Sequence, residues 1–470
     1  MKIIVVGTGY VGLVHAATCS EYGHEVFAYD NNDQKIKDFS TATADNIEKH
    51  VHEPGLSSII KETHEKYLFF SSDLESIIEG VDAIFLCLPT PPNPDGSTNL
   101  SYYETALRDL AKVLANRKDK RRVVIINKST VPIGTARHLQ KILFNHNVEN
   151  FGIASNPEFL AEGTAVAQAR KPDRIAVGCD HVEDFNILRR VYAQYVNQVG
   201  VKYIETTPET AEAIKYVANT MLLTYISFWN GVGAKIGEKI HNVKIDDLRL
   251  GVTSDERIST WGSLVSNGAG GSCFGKDIRS LINQLRKFDI NTKMLESSYE
   301  VNEYQKVYLI ERAIEEANFD FNNKTVAVLG LAFKKQTNDM RDASSIKVIE
   351  ALLGKGVVKI KAYDPMATDI AKEVFSIEKN ILFEKIEYTD SSSQALKETD
   401  ALFISSDWDE FRGLSGTIEK SVKTPYLIID GRRMLLDYQE LVNKGYNYLA
   451  VGSPFLSSEC LSEEVVQFAK

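Results

Sequence analysis

Short apolar runs separated by amphipathic stretches dominate the first part of the chain. Runs at Lys2–Val6, Glu25–Tyr29, 83–88, 122–127, 151–154 and 174–178 have strand length. Strands alternating with helix-length amphipathic segments imply a parallel sheet covered by helices on both faces. The prolines of LPTPPNPDGSTNL exclude a helix there, because each lacks a donor and restricts its predecessor. That stretch reads as a loop leaving the carboxyl end of a strand, where open α/β sheets place their ligands.

Between 207 and 305 the texture changes. The stretch from Pro208 through GEKI has helical periodicity and no strand candidate, and proline suits a first helical position. More helix is expected in IDDLRLGV, after Cys273, and in YEVNEYQKVYLIERAIEEA. From Lys324 the alternation resumes in TVAVLG, VVKIKAYDP, ALFISSD, YLIIDGRR and NYLAVG. The expected fold is α/β, with two doubly wound Rossmann-like domains (1–206 and 306–470) joined by a long central helical segment (207–305). The first turn of the second sheet reads GLAFKK and lacks GxGxxG, so it is not expected to hold a dinucleotide in the usual way.

Composition narrows the function. Of 470 residues, 43% are hydrophobic and 25% charged, as in ordinary soluble domains, and the net charge of −10 has no compensating basic stripe. This argues against a nucleic-acid or anionic-membrane partner. No apolar run approaches the roughly 18 residues of a membrane helix, and no secretory leader is apparent at the start. Five widely spaced cysteines without a CxxC pair suit a reduced, cytoplasmic protein. The histidines, including His50 and His52, show no metal-ligand spacing, so no metal is expected.

Candidate chemistry begins at GTGYVG, directly after a strand and before a helix. Gly7 permits the tight turn, Gly9 lets backbone approach a pyrophosphate, and Gly12 allows close helix–strand packing. Asp30 ends the next strand about 20 positions on; a carboxylate there accepts ribose hydroxyls and repels a 2′-phosphate, favouring NAD over NADP. The same turn also serves flavins. A second signal is SNGAGGSCFGKDIRSL. Small residues before Cys273 let backbone approach a ligand, and a helix beginning there lowers a thiol pKa. Asp277 lies one turn on, and Lys276 adds positive charge. Cys19 and Cys87 read as buried, inert positions, and Cys179 and Cys460 have no supporting neighbours.

With these motifs placed, the chain resembles the nucleotide-sugar dehydrogenases. The resemblance runs nearly end to end through GTGYVG, HEPGL, KSTVPIGT, SNPEFLAEGTA, KPDRIAVG, KYVANT, GAGGSCFGKD, AFKKQTNDMRDASS and DGRR. The GGSCFGKD form is similar to the UDP-glucose branch, with the GDP-mannose branch as the alternative. Ala269 departs from the family pattern, where an aromatic is common. The resemblance implies oxidation of a sugar C6 alcohol to a carboxylate with two NAD⁺, through a thiohemiacetal and a thioester on Cys273. It implies Asp277 as base through a water, Lys215 and Asn219 as oxyanion donors, and Glu158 and Thr130 around the hydrolytic water. Around NAD it places Tyr10 and Val11 of the turn, Lys35, Thr90, Thr130, Glu162, Lys276 and Arg341. Around UDP-glucose it places Glu158, Phe159, Leu160, Lys215, Asn219, Ser266, Gly270, Phe333, Lys334 and Arg432. Arg257 is matched to an arginine contributed across a homodimer. From the residues alone, NPEFLAEG reads equally as a helix entry, with Pro157 first and Glu162 one helical turn beyond Glu158. A single-step hydroxyacid dehydrogenase would leave GGSC unexplained, and a silent NAD-binding scaffold would not need Cys273, Lys215, Asn219 and Asp277 together.

Overall fold

The computed structural model describes residues 1–458, so Cys460 lies outside the described residues. The chain divides into two compact units, 1–218 with 279–290, and 219–278 with 291 onward. Two of the divisions fall inside the helices Pro208–Phe228 and Phe274–Arg286, and the third just before the helix Lys293–Glu315.

The first unit holds an eight-stranded sheet: β1 (Lys2–Val6), β2 (Glu25–Tyr29), β3 (Leu68–Ser71), β4 (Ala83–Leu86), β5 (Val123–Asn127), β6 (Phe151–Ser155), β7 (Arg174–Cys179) and β8 (Lys202–Thr206). Its order is 3-2-1-4-5-6-7-8, the first six strands following the doubly wound dinucleotide-binding order. Central strands are apolar on both faces: Val123, Val124, Ile125 and Ile126 are all fully buried. Two cores lie on opposite faces of this sheet, one around Leu13, Val14, Phe39 and Phe85, the other around Ile84, Tyr103, Leu107 and Leu139. The helix Ser101–Asn116 shows why sequence period becomes packing, since Tyr103, Leu107, Leu110, Ala111 and Leu114 form its buried stripe.

The sheet is not wholly parallel. β7 pairs antiparallel to β6 through Ala154–Cys179 and Ser155–Gly178. An antiparallel neighbour starts at the end where its predecessor stopped, so the 156–173 connection need not recross the sheet. It therefore leaves NPEFLAEG at the carboxyl end of the strands. That segment is irregular rather than a helix entry, and the next helix begins only at Ala165. Glu162 is accordingly not one helical turn beyond Glu158. The Glu158 side chain instead accepts the Leu160 N–H at 2.5 Å, which satisfies the backbone locally without a helix.

The second unit repeats the order with β9 (Thr325–Leu329), β10 (Lys359–Tyr363), β11 (Ile386–Tyr388), β12 (Ala401–Ile404), β13 (Leu427–Asp430) and β14 (Asn447–Ala450). These six strands are all parallel, in the order 3-2-1-4-5-6 of the same plan. The same unit includes the helices Ile245–Thr253 and Lys293–Glu315. The long helix begun at Pro208 passes into one π turn, Trp229–Gly233, before resuming at Ala234. Gly231 and Gly233 are needed there: a Cβ would meet Val301 at 2.9 Å or the Trp229 ring at 2.6 Å.

Candidate active site

In the first unit, the turn after β1 is built for close approach. Gly7 has φ +93°, and a Cβ on Gly12 would lie 1.8 Å from the Gly7 carbonyl oxygen. Only glycine lets the helix Tyr10–Glu21 start that close to β1. Gly9 is different, because a Cβ there would meet nothing within 4 Å. The helix begun after it has no side-chain cap and no acidic residue in its first turn. Its first N–H groups are thus suited to an anion, and the turn fits a dinucleotide pyrophosphate.

Asp30 closes the far side of this turn. Its Oδ2 accepts the Thr8 N–H at 2.9 Å, the Thr8 hydroxyl at 2.7 Å and the Lys35 ammonium at 3.1 Å. Burial pushes its carboxyl pKa up, but the Thr8 bonds and Lys35 together hold it below the ordinary value. Tyr10 hydrogen-bonds Glu53, and Val11 packs against the core. Glu53, from HEPGL, also accepts the Gly163 N–H at 2.7 Å and the Val166 N–H at 3.3 Å, tying the turn to the segment bearing Glu162. Burial, Glu53 and then Glu162 raise the Tyr10 pKa. Nothing but the HEPGL motif marked Glu53 in the sequence. Thr90, in the loop after β4, is half-buried.

Further along the same carboxyl edge, Lys215 reaches Glu158 Oε1 at 3.0 Å, and both side chains are buried. Phe159 lies between two cations, 5.5 Å from the Lys215 ammonium and 3.9 Å from the Arg174 guanidinium. Leu160 packs against the core. Thr130 follows β5 and shares the lining of a small cavity with Asn127, Ser155, Glu212 and Lys215. Lys128, beside it in KSTVPIGT, is buried and donates to Asn156 at 2.8 Å; burial lowers its pKa. It is a second residue to which the sequence pattern assigned no role.

In the second unit, Cys273 immediately precedes the helix Phe274–Arg286 and is half-buried. Its carbonyl accepts the Asp277 N–H at 2.8 Å, and its Sγ lies 3.6 Å from the Ser272 hydroxyl. Asp277 is fully buried; it accepts the Asn219 amide at 2.6 Å on one oxygen and Lys276 at 2.5 Å on the other. The fold therefore brings Asn219 to the Cys273, Lys276 and Asp277 that the sequence spacing grouped.

The glycines before Cys273 serve close packing. A Cβ on Gly270 would lie 2.5 Å from the Asp342 carbonyl, and one on Gly271 3.0 Å from the Phe333 ring. The segment is held from outside. Asn302 accepts the Ala269 N–H at 2.8 Å and donates to the Ala269 carbonyl at 3.0 Å, while Gln305 donates to the Ser266 carbonyl at 2.9 Å. Arg432 donates to the carbonyls of Ser405 at 2.9 Å and Phe333 at 3.4 Å, and burial lowers its pKa. Lys334 lies 5.5 Å from the Phe333 ring. Arg341 pairs with Asp339 at 2.6 Å, and the Arg341 carbonyl accepts the Gly271 N–H. Gly270, Phe333, Arg341 and Arg432 thus gather around the Cys273 segment. Arg257 does not join them; it is largely exposed and paired with Asp255 at 2.6 Å.

Among the described residues, no helix is long and apolar enough to cross a membrane. Three models of the UDP-glucose/GDP-mannose dehydrogenase family match in order: the NAD binding domain over 1–196, the central domain over 209–304 and the UDP binding domain over 327–437. UDP-glucose 6-dehydrogenase from Rickettsia typhi is 35% identical, covering 96% of this chain and 100% of its own. UDP-glucose 6-dehydrogenase TuaD from Bacillus subtilis is 33% identical, covering 96% and 93%. The structure of a UDP-glucose dehydrogenase from the archaeon Pyrobaculum islandicum superposes with a TM-score of 0.85 at 29% identity, covering 96% of this chain and 98% of that one. With an NAD turn in the first unit and a cysteine–aspartate–asparagine cluster in the second, the chain belongs to the UDP-glucose/GDP-mannose dehydrogenase family and is an NAD-dependent dehydrogenase.

Proposed function

We propose that the chain oxidises UDP-glucose to UDP-glucuronate with two NAD⁺, by way of a thioester on Cys273. The observation that carries this reading is the Cys273–Asp277–Asn219 cluster at the start of the helix Phe274–Arg286. The names and near-complete coverage of the relatives support UDP-glucose as the substrate. NAD⁺, held by Gly7, Gly9, Tyr10, Val11, Gly12 and Asp30 with Lys35, Thr90, Thr130, Glu162, Lys276 and Arg341 beside it, supplies the hydride acceptor for both oxidations.

The remaining chemistry belongs to the side chains. In the first oxidation the sugar C6–H leaves as hydride and the hydroxyl proton passes through a water to Asp277, giving an aldehyde. Lys215 and Asn219 steady the oxygen as charge develops, a contribution of about 2.7–4 kcal/mol for one good donor. The Cys273 thiolate adds to the aldehyde carbon, and loss of a second hydride from the resulting thiohemiacetal leaves a thioester. Water then attacks the thioester carbonyl, releasing the carboxylate and the Cys273 thiol. Glu158 and Thr130 position that water.

Ser266, Gly270, Phe333, Lys334 and Arg432 bind the UDP end, with Phe159 and Leu160 along the sugar. Arg257, exposed within one chain, suits a contact made by a second subunit, so the working form is a homodimer in the cytoplasm. The three family models support the division into cofactor, central and nucleotide-sugar domains at 1–206, 207–305 and 306–470.

The test compares wild type with Cys273→Ser and Cys273→Ala, using UDP-glucose and, separately, GDP-mannose. UDP-glucose should support turnover, and Cys273→Ser should slow it or hold a covalent adduct visible by intact mass, with NAD affinity unchanged. Full two-step activity in Cys273→Ala contradicts the covalent route, and turnover of GDP-mannose alone moves the substrate to that branch.

A further inference from the structure

The first unit buries several carboxylates that the mechanism above does not use, among them Glu53, Asp184 and Glu212. Glu212 lies on the helix Pro208–Phe228, one turn before Lys215, and is 3% exposed. Its three donors are all neutral: the Gly134 N–H at 2.6 Å, the Ala136 N–H at 2.9 Å and the Ser155 hydroxyl at 3.0 Å.

These donors place Glu212 at a joint. Gly134 and Ala136 flank the start of the helix Thr135–Asn145, which has no side-chain cap of its own and no acidic residue in its first turn. Glu212 supplies the missing acceptor and negative charge from another helix. The short loop between Thr130 and that helix start is pinned from a second side by Gln284, which accepts the Ile133 N–H at 2.8 Å. Ser155, at the end of β6, ties the same carboxylate to the strand leading into Glu158.

The cavity beneath Thr130 is lined by Asn127, Ser129, Thr130, Val131, Ser155, Pro157, Glu212 and Lys215. Asn127 Nδ2, on this lining, is buried without a hydrogen-bond partner among the described residues. A buried amide and a carboxylate on the lining of one water-sized space are suited to holding a water molecule. Burial pushes the Glu212 carboxyl up to about 7, although all three donors favour its ionised form; Glu209 on the same helix opposes ionisation.

We propose that Glu212 is a positioning residue for thioester hydrolysis, fixing the loop that carries Thr130 and one wall of the water-sized space beneath it. This rests on the proposed function, in which Thr130 and Glu158 position the hydrolytic water. Glu212 acts through them and does not touch the sugar. The two oxidations centre on C6, the cofactor, Lys215, Asn219 and Asp277, whereas Glu212 accepts bonds from Gly134, Ala136 and Ser155 on the side of the Thr130 loop. Loss of Glu212 therefore separates the two halves of the reaction.

The test is a rapid-mixing experiment on the full-length protein with NAD⁺ and UDP-glucose, following NADH by absorbance and the acyl-enzyme by intact mass. In Glu212→Gln the side-chain amide turns an N–H toward a backbone N–H, so one of the two backbone bonds is lost. The expected result is a retained burst of two NADH per site, NAD affinity within twofold of wild type, acyl-enzyme accumulation, and hydrolysis at least tenfold slower. Ser155→Ala removes one donor without disturbing either backbone contact, and should slow the same step two- to fivefold. It carries the test should Glu212→Gln fail to fold. Hydrolysis at the wild-type rate in the folded variants overturns the proposal, as does an equal slowing of burst and hydrolysis. A wild-type enzyme forming no NADH or no acyl-enzyme overturns the proposed function itself, before any variant is compared.

Discussion

The two sheets share a strand order and an aspartate at the end of the second strand, yet the two aspartates do different work. Asp30 follows the strand β2 as Asp364 follows β10. Both turns begin alike: Gly7 N–H bonds the Tyr29 carbonyl at 2.8 Å, and Gly330 N–H bonds the Tyr363 carbonyl at 2.8 Å. Beyond that they diverge. Asp364 accepts four backbone N–H groups, from Leu331, Ala332, Met366 and Ala367, and the Trp408 indole at 3.1 Å. It is buried, with both oxygens committed to its own unit. Asp30 keeps partial exposure, and its two backbone donors are Thr8 and Asn32. The helix after Gly9 starts at once, whereas after Gly330 the chain runs irregularly through Phe333 and Lys334 before the helix Ser344–Gly354. One fold plan thus gives a turn open to a dinucleotide and a turn closed around its own carboxylate. The glycine pattern, more than the sheet, decides which.

Three substitutions test that contrast. Gly12→Val should have the largest effect, because even a Cβ would lie 1.8 Å from the Gly7 carbonyl. NAD binding should disappear and the first unit should lose its cooperative melting transition; calorimetry with and without NAD⁺ reads both. Asp364→Ala should rank second. Unpaired buried donors cost about 1–3 kcal/mol each, so a loss of ~3 kcal/mol or more is expected. NAD affinity should stay unchanged, as denaturant melts and equilibrium binding will show; a fall in NAD affinity would mean the second turn is not closed. Asp30→Asn should reverse the pattern, with NAD affinity about tenfold weaker, a change of ~1.4 kcal/mol, and a loss of stability at neutral pH smaller than that of Asp364→Ala. The sign of its pH dependence follows from the lowered pKa. The ionised form contributes stability that is complete above the ordinary value of 3.8 and is lost as pH falls through the lower folded-state value. Wild type and Asp30→Asn should therefore converge in stability in acid, the smallest effect of the set.

The central strands were legible because burial on both faces leaves an uninterrupted apolar run, as in β1, β4 and β5. The strands the hydrophobic pattern does not mark are β3, β8 and β11, each at an edge of its sheet. Edge strands are half-solvated, and Lys202–Thr206 has no fully buried residue. The apolar run of β7 was legible but its antiparallel direction was not: strand direction depends on where a connection ends, which no local pattern encodes. The same connection explains NPEFLAEG, whose proline and acidic residue suit a helix start but whose backbone is satisfied by Glu158 itself. At the site, Cys273 with Asp277 was readable from a four-residue spacing, and Asn219 with Asp277 from motif resemblance. Glu53, Lys128 and Glu212 were not, because each acts by accepting or donating bonds to backbone and side chains distant in sequence.

The account stands most directly on the number of hydrides removed from each sugar. Incubating the protein with a limiting amount of UDP-glucose and excess NAD⁺, and measuring total NADH by absorbance, gives that number. The account predicts two NADH for each UDP-glucose consumed, with UDP-glucuronate as the product. A ratio of one, with the aldehyde released, would contradict it.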